Sequence, residues 1–147
     1  MRSSTATAER VAFLGHSFSP DDRALVIAVK RMLRRERIAV ITGERPEARG
    51  VAEKIRTRID VADLFVALLT RRYMIEPGRY TTSPWVIEEK GYFLGRGPSR
   101  PVLLLVEDGI KVPDETGGIA GDLEYIRFDR FDLDVARQAL HEALIQG

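Results

Sequence analysis

The segment TTSPWVIEEKGYFLG, Thr81 to Gly95, places Glu88 and Glu89 just after Trp85, at the start of an expected helix. Carboxylates beside an aromatic ring are the parts of a sugar-binding pocket, because a carboxylate accepts hydrogen bonds from hydroxyls and steadies positive charge at an anomeric carbon. Trp85 and Glu89 are four residues apart and share one helix face. Glu88 is turned away by about 100°, so it is assigned to solvent. The bland alternative is a helix-start carboxylate worth about 0.3–1 kcal/mol against the helix dipole. Other chemistries have little material. The chain has no cysteine, which removes thiolate catalysis and disulfides. Its two histidines, His16 and His141, are far apart in sequence, so no metal site is expected.

These residues need a scaffold, and the apolar pattern supplies one. Val11–Leu14, Ile38–Ile41, Leu64–Leu69, Pro101–Val106 and Tyr125–Phe128 read as strands. Leu64–Leu69 is apolar throughout, as in a strand buried on both faces. Helices are expected between them. The first begins at Ser19 as N-cap, with Pro20 at the first helical position and Asp22 as the capping-box acid, and runs through Arg35 with Leu25, Val29, Met32 and Leu33 inward. The second spans Val51–Val61, the third opens at Ser83-Pro84, and the last starts at Asp132 or Asp134 and runs to Ile145. Arg71–Thr81 and Asp108–Asp122 read as irregular. Strands alternating with helices imply right-handed crossovers and a flavodoxin-like, open five-stranded parallel sheet with helices on both faces, an α/β fold whose ligands lie at the carboxyl ends of the strands.

The length of 147 residues suits one domain, taken as residues 9–147 after a lead-in over 1–8. Lysine plus arginine number 23 and acids 22, so general attraction to nucleic acid or to anionic membrane is not expected. The basic run from Lys30 to Arg37 reads as a solvated helix face. No apolar run approaches the ~20 residues of a membrane span. A cytoplasmic location is expected. Neither GxGxxG after the first strand nor GxxxxGK[ST] is present, which disfavours dinucleotide dehydrogenases and P-loop enzymes.

Three stretches carry a family resemblance. They are Phe13-Leu14-Gly15-His16-Ser17 followed by Asp21-Asp22, the loop Gly43 to Gly50, and Ser83-Pro84-Trp85-Val86-Ile87-Glu88-Glu89. Together they resemble a bacterial Toll/interleukin-1 receptor (TIR) domain over about Glu9 to Ile145, with Gly15 where serine is usual. The third-helix stretch is the most specific. The resemblance implies cleavage of NAD⁺ to nicotinamide and ADP-ribose or a cyclic form, with NAD⁺ as substrate and no cofactor. It makes Glu89 the catalytic residue. Gly15, His16, Ser17, Phe18, Arg45, Arg71 and Trp85 are candidates for substrate binding. It also implies self-association through the loop Gly43, Glu44, Arg45, Pro46, Glu47, Ala48, Arg49 and Gly50, triggered by a sensor domain or a signal-producing partner, as in antiviral defence. Three rivals stand beside this reading. A non-catalytic TIR adaptor keeps the fold. A nucleoside deoxyribosyltransferase-like enzyme would exchange bases on deoxynucleosides. A phosphoacceptor receiver domain is disfavoured because Thr70, not aspartate, follows the third strand.

Overall fold

The computed structural model describes residues 10–43, 53–96, 100–112, 115 and 124–146. Five parallel strands form one sheet: β1 (Arg10–Gly15), β2 (Ile38–Thr42), β3 (Leu64–Leu69), β6 (Val102–Glu107) and β7 (Glu124–Phe128). Their order is β2-β1-β3-β6-β7, the doubly wound arrangement expected, with the reversal of strand order between β1 and β3.

The strand sequences explain the two layers. Along β1, β3 and β6 alternate side chains go to opposite faces. Ala12, Leu14, Leu64, Val66, Leu68, Leu103 and Leu105 pack against α1 (Arg23–Arg35) and α4 (Asp134–Gln146). Phe13, Phe65, Ala67, Leu69, Leu104 and Val106 pack against α2 (Glu53–Asp60) and α3 (Pro84–Leu94). Every residue of β3 is buried, as its unbroken apolar run requires of a central strand.

Two local expectations are revised. Ser19 does cap a helical start, its Oγ accepting from Asp21 N at 3.3 Å, but the turn Pro20–Asp22 is a 3-10 turn that leads into α1. Asp22 does not close a capping box. Its side chain turns inward and is 3 % exposed, because charged and hydroxyl partners there outcompete a backbone N–H. The segment Arg71–Thr81, expected to be irregular, contains a short antiparallel hairpin. It pairs β4 (Met74–Glu76) with β5 (Arg79–Tyr80), and Gly78 between them has φ +81°, which glycine adopts without a Cβ penalty.

Candidate functional site

Because β1 and β3 part company after Gly15 and Leu69, a hollow opens at their carboxyl ends. Its volume is about 510 Å³, and its walls include Ser17, Phe18, Arg72, Ser83 and Trp85. Helix α3 begins here: Ser83 occupies the N-cap and Pro84 the first turn. That start projects Trp85 into the wall of the hollow, half-buried. Glu88 is exposed, as its rotation on the helix requires.

Glu89 points the other way from Glu88, into the protein, and is 1 % exposed. It does not line the hollow. Two glycines from neighbouring strands make room for its carboxylate. A Cβ at Gly15 would stand 2.9 Å from Phe65 Cζ, 3.1 Å from Glu89 Oε1 and 3.2 Å from Val86 Cγ1. At Gly43, just past β2, a Cβ would stand 3.0 Å from Glu89 Oε2 and 3.4 Å from Phe13 Cζ. Glycine at position 15, where serine is usual in the resembling family, therefore has a steric reason in this chain.

Burial raises the pKa of Glu89 from its ordinary 4.5 to about 8, because a desolvated carboxylate loses its hydration. The indole N–H of Trp85 pulls the value partly back and the charge of Glu88 pushes it up. The indole and carboxylate are close but not aligned into a hydrogen bond: Trp85 Nε1 and Glu89 Oε2 are both buried without a partner among the described residues. At neutral pH the acid is thus mainly protonated in this arrangement. A buried polar atom left unpaired costs about 1–3 kcal/mol.

The other predicted residues are spread around the same edge. Ser17 and Phe18 line the Trp85 hollow. His16 instead faces α1, its Nδ1 2.8 Å from the Ser17 carbonyl, and burial lowers its pKa. Arg71 is not in the Trp85 hollow. Its backbone N–H donates to Glu107 Oε1 at 2.9 Å, and its guanidinium lies 4.7 Å from the centre of the Tyr80 ring. Arg72, the next residue, is the arginine that reaches the hollow. Arg45 and the rest of the expected assembly loop, Glu44 to Gly50, lie outside the described residues. Gly43 is described, and its place beside the Glu89 carboxylate is a contact the sequence did not reveal.

A second constellation escaped the sequence reading altogether. Arg130, from the turn after β7, donates from Nε to Glu107 Oε2 at 2.6 Å and from Nη2 to Asp22 Oδ1 at 2.9 Å. Asp22 Oδ2 also accepts from Ser17 Oγ at 2.8 Å and Thr70 Oγ1 at 2.7 Å. Both carboxylates hold Arg130 more firmly protonated than usual, Glu107 the more strongly. Thr70, which counted against a receiver domain, here serves as a donor that ties β3 to the start of α1. An acid at the end of β6 was the one available sequence signal; nothing local pointed to Arg130, 108 residues from Asp22.

The sheet order defines a flavodoxin-like α/β domain, with a hollow at its switch point on the carboxyl edge. The TIR-domain family model matches residues 16–141, and the chain belongs to the TIR domain family. No curated protein matches the chain.

Proposed function

We propose that this TIR domain is an NAD⁺ glycohydrolase and that the arrangement described is its resting form. The observation that carries the reading is the Glu89 carboxyl group, which lacks a partner at Oε2 among the described residues and sits beside Trp85 at the carboxyl edge of the sheet. A structural carboxylate at such a depth is normally paired, as Asp22 and Glu107 are here. Glu89 carries the desolvation cost without that return.

The chemistry asks little of the protein. The bond from ribose C1′ to the nicotinamide nitrogen breaks, its electron pair goes to the pyridinium, and nicotinamide leaves neutral without a general acid. The ribose is left with oxocarbenium character, and water attacks C1′ and loses a proton to give ADP-ribose. An ionised Glu89 would stabilise the developing cation and hold the ribose hydroxyls. Trp85 would bound the ring, and Arg72, which lines the same hollow, would meet a phosphate.

In the resting arrangement Glu89 neither reaches the hollow nor is ionised, so turnover requires its cover on the Gly43 side to open. Self-association through the loop that starts at Gly43 would supply that opening, and a head-to-tail contact of this kind extends into open arrays. Specific activity toward NAD⁺ is therefore expected to rise with protein concentration over a hundredfold range and to vanish in Glu89→Gln. The burial of Glu89 favours one rival, a TIR adaptor that assembles without catalysis. For that rival, Glu89→Gln would keep self-association and no protein concentration would consume NAD⁺.

A further inference from the structure

The loop from His16 to Ser19 has two sides. One faces Trp85, as described. The other faces α1 and borders a separate, open cavity of about 280 Å³, whose walls include His16, Phe18, Arg23, Ile27 and Lys30. That volume is the size of a small organic ligand.

The chemistry of the walls is one-sided. Arg23, Ile27 and Lys30 are spaced four and three residues apart, so they form one line on α1 over about 10 Å. The side chains of Arg23 and Lys30 have no hydrogen bond or ion pair among the described residues. Among the described residues no acid lines the cavity. The neighbouring Asp22 carboxylate is already engaged by Ser17, Thr70 and Arg130. Two long cationic side chains, one turn on either side of Ile27, can close on a single phosphate.

The remaining walls suit a flat ring. The rings of Phe18 and His16 lie 4.8 Å apart at 49°, and Ile27 is 45 % exposed between the two cations. A carbonyl oxygen can only accept, so the His16 Nδ1 beside the Ser17 carbonyl carries the proton. In the neutral ring Nε2 is then an acceptor, able to take a hydrogen bond from a sugar hydroxyl. Burial and the nearby Lys30 charge both favour that neutral ring.

We propose that this cavity is a second small-molecule site, distinct from the Trp85 hollow, that binds a phosphomonoester bearing a flat ring, of the nucleoside monophosphate class. The phosphate lies between Arg23 and Lys30, and the ring lies against Phe18 and Ile27. The basic run that begins at Lys30 thus has a use beyond solvation at its first member.

The test is titration of the full chain with 5′-AMP by calorimetry, with adenosine and inorganic phosphate as separate arms. Saturable AMP binding is expected, at least about tenfold tighter than either fragment. Arg23→Ala and Lys30→Ala, each on the outer face of α1, are expected to weaken it about tenfold or more, the scale of one charge-assisted hydrogen bond. Glu89→Gln is expected to bind AMP as the wild type does. Absence of AMP binding, phosphate binding as tight as AMP, or AMP binding undisturbed by both α1 variants would each overturn the proposal. So would AMP binding that is lost in Glu89→Gln or Trp85→Ala and kept in Lys30→Ala, since AMP would then occupy the Trp85 hollow. The glycohydrolase reading fails on a different measurement, NAD⁺ consumption, so either can fall alone.

Discussion

At the carboxyl edge of the sheet, buried acids meet two different treatments. On the α1–α4 side, Asp22 and Glu107 clasp Arg130, and the hydroxyls of Ser17 and Thr70 complete the set around Asp22. On the α2–α3 side, Glu89 lies as deep, yet Oε2 has no partner among the described residues and two glycines leave room for the carboxylate. The paired acids join β1, β3, β6 and the turn after β7 into a fixed frame. The unpaired one stores free energy that a change of environment can release. A site that must alternate between sealed and working forms is better built from the second kind, and it needs the first kind alongside it to keep its position.

A large effect is expected from breaking the paired side. Arg130→Met leaves two buried carboxylates uncompensated and should destabilise the fold by about 3 kcal/mol, toward the low end for buried pairs because Arg130 is itself 21 % exposed. Urea unfolding would read this as a lower midpoint with an unchanged slope.

Removing the unpaired acid should act in the opposite sense. The unfolded chain releases the Glu89 proton near 4.5, whereas the folded chain holds it until about 8. Wild-type stability should therefore be fully present below pH 4.5 and fall, by roughly 2–4 kcal/mol, as pH rises through that window. Glu89→Gln should lack this fall and be the more stable protein at pH 8. Unfolding both proteins from pH 4 to pH 9 checks it; parallel profiles would show that Glu89 is not held protonated by its surroundings.

A smaller effect sharpens the role of the glycine contact. Gly15→Ala puts a methyl group against Phe65 and Glu89 and should cost about 1–3 kcal/mol by overpacking. Gly43→Ala meets Glu89 Oε2 and the Phe13 ring at a slightly looser 3.0–3.4 Å and should cost less. The ranking is read from the two thermal midpoints, and equal shifts would mean that the carboxylate moves aside freely at both positions.

Much of this fold could be read along the chain, because burial in parallel strands leaves uninterrupted apolar runs such as Leu64–Leu69 and because Ser19-Pro20 and Ser83-Pro84 mark starts by local chemistry. The face shared by Trp85 and Glu89 follows from helical spacing alone. The depth of Glu89 does not, since its cover comes from Gly15 on β1 and Gly43 after β2, remote in sequence. The hairpin at Met74–Tyr80 was missed because Met74, Ile75 and Glu76 are all exposed, so no alternation marks them. Asp22 looked like a capping acid because its strongest partner, Arg130, enters only once β7 has folded beside β6.

Glu89 is proposed as the charge on which NAD⁺ cleavage depends, sealed in the resting domain and exposed on assembly. The direct measurement is chromatographic analysis of NAD⁺ incubated with concentrated or artificially clustered protein, wild type beside folded Glu89→Gln. The account predicts nicotinamide and ADP-ribose, linear or cyclised, from the wild type and none from the variant. Equal turnover by the two proteins, or no turnover by the clustered wild type, would contradict it.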